Sequence, residues 1–64
     1  MNTYKVTCTD LADSFTIKAF DTTQAITEAK RKRYGWPLPL TSRIKPNVVR
    51  VSGTKVYITV EELT

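Results

Sequence analysis

Asp21-Thr22-Thr23-Gln24-Ala25-Ile26-Thr27-Glu28-Ala29-Lys30-Arg31-Lys32-Arg33-Tyr34-Gly35 is the segment on which the fold turns. Asp21 with Gln24 three residues later has the spacing of a helix N-cap and its reciprocal partner, and helix-favouring residues continue to Gly35. The spacing predicts a helix over about residues 22–34. Ala25, Ile26 and Ala29 form a narrow apolar stripe whose two alanines let the helix axis come close to a sheet. Lys30 to Arg33 fall in the last turn, where cations favour the negative end of the helix dipole, and Gly35 suits a left-handed C-cap.

On either side of this segment the period changes to two. Tyr4, Val6 and Cys8 alternate with Lys5, Thr7 and Thr9, and Phe15, Ile17 and Ala19 alternate with Ser14, Thr16 and Lys18. The short polar link at 9–13 makes these two runs an antiparallel hairpin. After the helix, Val48–Ser52 and Lys55–Val60 flank Ser52-Gly53-Thr54 as a second hairpin, with Val49, Val51, Val56, Ile58 and Val60 on one face. Between helix and second hairpin lies Trp36-Pro37-Leu38-Pro39-Leu40, which the prolines hold extended, followed by residues 41–47 read as more of the same connector. Glu61 to Thr64 show no further pattern.

The expected order is β-β-α-β-β: a small two-layer α+β domain with one helix packed on a mostly antiparallel four-stranded sheet. Residues 1–64 form a single domain. Strand order is open. Adjacent second and third strands would make a right-handed parallel crossover; adjacent first and fourth strands would place a parallel pair between the hairpins. The expected core is Tyr4, Val6, Phe15, Ile17, Ala25, Ile26, Ala29, Val49, Val51, Val56, Ile58 and Val60.

Composition narrows the function. With 64 residues, 41% of them apolar and 25% charged, the chain suits one folded domain. No apolar run is long enough to span a membrane and no signal-peptide pattern begins it, so a cytoplasmic location without membrane contact is expected. Cys8 is the single cysteine and His is absent, which leaves no internal disulfide, no zinc-ligand set and no ordinary general base. No enzyme activity, cofactor or metal is expected. Asp10 and Asp13 fit a hairpin link and Asp21 a cap rather than a calcium loop, and neither glycine opens a phosphate-binding helix.

Charge gives the functional signal. Residues 29–60 carry Lys30, Arg31, Lys32, Arg33, Arg43, Lys45, Arg50 and Lys55 with no acid among them, in a chain whose net charge is +4. Such a stretch attracts polyanions, and Tyr34 and Trp36 beside it are the residue types that stack on nucleic-acid bases. The expected activity is therefore nucleic-acid binding, DNA or RNA, through Lys30, Arg31, Lys32, Arg33, Tyr34, Trp36, Arg43, Lys45 and Arg50. Two plainer readings stand beside it. The basic turn can be a solvated helix end, and Trp36 is expected to pack over one end of the core beneath the prolines. The alternative function is a small protein-interaction module or inhibitor, of the phage or mobile-element type, that docks on an acidic surface or pairs through a strand edge. A homodimer is compatible with either, since a chain this short buries little surface alone.

Overall fold

A computed structural model describes residues 1–63. Its elements are β1 (Asn2–Cys8), β2 (Phe15–Ala19), α1 (Thr22–Tyr34), β3 (Thr41–Lys45), β4 (Val48–Val51) and β5 (Tyr57–Glu62). The strands form one sheet in the order β2-β1-β5-β4-β3, and every neighbouring pair is antiparallel. The domain is a small α+β fold with one helix across one face of that sheet.

The helix begins and ends for the reasons the sequence offers. Asp21 adopts an extended backbone and accepts a 2.8 Å hydrogen bond from the Gln24 amide, while Gln24 Oε1 accepts from the Phe20 amide at 2.6 Å. At the other end Gly35 sits at φ +71°, a conformation that a side chain would strain, and its amide donates to the Arg31 carbonyl at 2.8 Å. Ala25, Ile26 and Ala29 are buried against β2 and β5. The core beneath them consists of Tyr4, Val6, Cys8, Ile17, Ala19, Val49, Val51, Ile58 and Val60, with Phe15 and Val56 packed at its margin.

Two expectations need correction. The sheet has five strands, not four, because Thr41–Lys45 inside the expected connector pairs with β4; the link shrinks to 35–40, and Pro46-Asn47 turns β3 into β4. The added strand also reverses the direction of everything after it. With four strands, first and fourth would lie parallel; with β3 inserted, β5 runs antiparallel to β1, placing Val6 opposite Val60 and Cys8 opposite Ile58. The same pairing draws Glu61 and Glu62 into β5 opposite Lys5 and Tyr4, where the Tyr4 hydroxyl donates to Glu62 Oε1 at 3.3 Å.

Candidate nucleic-acid interface

Consecutive helical residues point about 100° apart, so four basic residues in a row cannot share one face. Lys30 turns toward β3, where its Nζ donates to Thr41 Oγ1 at 3.3 Å. Arg31 pairs with Glu28 one turn back. Lys32 turns toward β2, donating to the Thr16 carbonyl at 3.4 Å, with its ammonium 5.2 Å from the Phe15 ring centre. Arg33 lies four residues beyond Ala29 on the core-facing stripe. Its guanidinium forms a two-pronged ion pair with the Asp10 carboxylate in the β1–β2 link, and its side chain is only 17% exposed.

This pair has electrostatic consequences. The Arg33 guanidinium, hydrogen-bonded to Asp10, holds that carboxyl below its ordinary value, while the carboxylate raises the guanidinium's own pKa. Arg33 is thus less exposed than Arg31 and Lys32, and its charge is met by Asp10. Trp36 stands 74% exposed in the connector, against the expectation that it packs. Tyr34 is partly exposed, with the Arg33 guanidinium 4.9 Å from its ring centre; desolvation raises its hydroxyl pKa.

The remaining cations are dispersed. Arg43 is opposite Val49 and therefore on the helix side of the sheet, where it donates to Thr23 Oγ1 at 3.4 Å. Lys45 ends β3 beside the Pro46-Asn47 turn, the far end of that strand from Trp36. Arg50 is opposite Ser42 and Tyr57 on the other face. Lys30 and Arg43 thus both lie on the helix side of β3, Lys30 at Thr41 and Arg43 toward the first helical turn. Tyr34 and Trp36 follow in the last turn and the connector, Lys32 turns to the opposite edge of the sheet, and Lys45 and Arg50 lie apart. Among the described residues the only ion pairs are Arg31–Glu28 and Arg33–Asp10, so Lys30, Lys32 and Arg43 touch neutral oxygens only.

Charge counting along the chain also passes over Lys5 and Lys18, which belong to the acidic first half of the sequence. Their strand positions put them on the helix-free face together with Arg50 and Tyr57. Alternation in β1 and β2 was the signal that could have found them. Among the described residues no group of three or more His, Cys, Asp or Glu side chains could hold a metal ion, no pocket opens in the surface, and no helix is long and apolar enough to cross a membrane. Comparison with protein families, with curated proteins and with solved structures returned no match.

Proposed function

We propose that this domain binds single-stranded nucleic acid, DNA or RNA, at the helix end, the connector and the adjoining part of β3. The observation that carries the reading is Trp36, 74% exposed directly after a basic helix turn whose Lys30 and Lys32 have no carboxylate partner. Stacking on an indole is indifferent to sequence because every base has a π-face, and a flexible strand can present bases to it while phosphates meet Lys30 and Arg43. Arg31 and Arg33 contribute less, since a carboxylate already neutralises each. Tyr34 has its ring engaged by Arg33 and serves mainly to support the surface.

The test follows Trp36 fluorescence as single-stranded and duplex oligonucleotides are added. Quenching by the single strand is expected, and with two phosphate contacts the affinity should fall about 7-fold between about 50 and 200 mM salt. Measured by anisotropy of a labelled oligonucleotide, Trp36→Ala should lose about 1–3 kcal/mol of binding, the usual worth of one base stack, while the exposed position leaves the fold intact. Absence of quenching at the lower salt, or unchanged affinity in Trp36→Ala, overturns the reading.

A further inference from the structure

The outer edge of β3 carries unpaired backbone groups whose positions follow from the ladder. The Leu40 carbonyl accepts from the Ser52 amide at 2.9 Å, so Leu40 and Ser52 are a hydrogen-bonded pair. In an antiparallel ladder such pairs alternate, which makes Ser42 and Arg50 the next one. Thr41 and Arg43 therefore aim their N–H and C=O groups away from β4. The opposite side of β4 agrees: the Val51 amide bonds outward to the Val56 carbonyl on the β5 side at 2.9 Å.

Side chains along this edge are sorted by charge. Thr41 and Arg43 point to the helix side, where the Lys30 ammonium also sits against Thr41. On the other side come Leu40 and Ser42, with Arg50 across the ladder from Ser42; the bulge interrupts the alternation at Ile44, and Leu40 and Ile44 are 82% and 52% exposed. The helix side of the edge is thus cationic, and the exposed apolar side chains Leu40 and Ile44 flank Ser42 along it. A second copy paired antiparallel would set Arg43 opposite Thr41 or opposite itself, and neither register brings a carboxylate to Arg43, so self-pairing leaves its charge uncompensated. The bulge after Arg43 and the proline at 46 blunt the far end of the strand, leaving the Thr41–Arg43 stretch open.

We propose that this edge is a strand-addition site for an extended segment of another protein in which acidic and apolar residues alternate. The segment's carboxylates lie beside Arg43 and Lys30, its apolar side chains lie beside Leu40 and Ile44, and its backbone bonds to Thr41 and Arg43. This site goes beyond the nucleic-acid reading: it shares Arg43 and Lys30 with that surface but rests on the backbone of β3 rather than on the Trp36 ring.

The probe is a blocked peptide of about six residues alternating Glu and Val, titrated into the isotope-labelled domain and followed by amide shifts and hydrogen exchange. Binding should protect the Thr41 and Arg43 amides, which begin unprotected, and leave the already bonded Ser42 amide little changed. N-methylation at the peptide positions facing β3 should abolish binding, and at the alternate positions should leave it intact. Arg43→Glu should weaken binding by about tenfold or more, a change the fold tolerates because β3 buries no side chain. Equal effects of the two N-methylated peptides would overturn the proposal by reducing the contact to charge attraction. So would protection of Thr41 and Arg43 that appears without peptide as protein concentration rises, since a second copy would then occupy the edge. Peptide binding that persists in Trp36→Ala, where binding of the labelled oligonucleotide falls, separates this site from the nucleic-acid surface.

Discussion

The two edge strands of the sheet are each five residues long, yet they are held by different forces. Strand β2, Phe-Thr-Ile-Lys-Ala, buries Ile17 and Ala19 under the helix, and Lys32 covers its outer Thr16 carbonyl. Strand β3, Thr-Ser-Arg-Ile-Lys, buries no side chain and is held by the ladder to β4 and by two polar ties to the helix, Lys30 to Thr41 and Arg43 to Thr23. Because the helix packs on β2 and β5 rather than centring over the whole sheet, one edge belongs to the core and the other borders solvent. An anchored edge stabilises; an unanchored one is available for partners.

The largest expected effect comes from making one substitution at each edge. Ile17→Ala removes a side chain that is 9% exposed and should cost about 2–4 kcal/mol in urea unfolding. Ile44→Ala, on β3, should stay within about 0.5 kcal/mol of the parent. Comparable losses at the two positions would break the contrast and give β3 a share of the core.

The same contrast explains what could be read from the sequence. Alternation reports burial, and β1, β2, β4 and β5 show it because each has one face under the helix; the helix itself was bounded at both ends by Asp21 and Gly35. In β3 no residue is buried, so its five residues between two prolines have the pattern of a loop while the backbone makes a ladder. Missing that strand also hid the antiparallel pairing of β1 with β5, since strand direction depends on how many turns precede it. The basic run was legible as charge, but its division around the helix follows from the 3.6-residue period, and pairing of Arg33 with Asp10 joins residues 23 apart. Trp36 was read as packing because large apolar residues usually pack. Here Trp36 follows the C-cap glycine into the connector and stays 74% exposed, and nothing local to it signals that.

A smaller effect is expected at the corner joining β2 to the helix. Asp21→Ala removes the side chain that receives the Gln24 amide and should cost about 1 kcal/mol, the usual worth of an N-cap. Hydrogen exchange sharpens the comparison: fraying the first helical turn should speed exchange in β2, which depends on the helix for its cover, more than in the β3–β4 ladder. Faster exchange in β3 would mean that the Arg43–Thr23 tie carries more of that edge than its exposed position suggests.

The smallest effect is one of pH, and it separates the edges by the chemistry of their ties. Asp10 has its carboxyl pKa lowered in the folded protein by the hydrogen-bonded Arg33 guanidinium, so the unfolded chain binds its proton more readily than the folded one. A depressed carboxyl stabilises above its unfolded pKa of about 4, and that contribution disappears as pH falls through the lower folded value. Arg33 keeps its charge throughout, leaving Asp10 as the titrating partner. Asp10→Asn should therefore lower the urea midpoint slightly at pH 7, and the gap from the parent should narrow as pH falls below about 4; a gap that stays the same size as the pH is lowered would remove the ion pair from the account. The ties of β3 end on the hydroxyls of Thr41 and Thr23, which do not titrate in this range. Acid should consequently loosen the contact between the β1–β2 link and the end of the helix while leaving β3's own contacts with the helix as they are. The edge with the deeper anchor is then also the one whose clamp depends on pH.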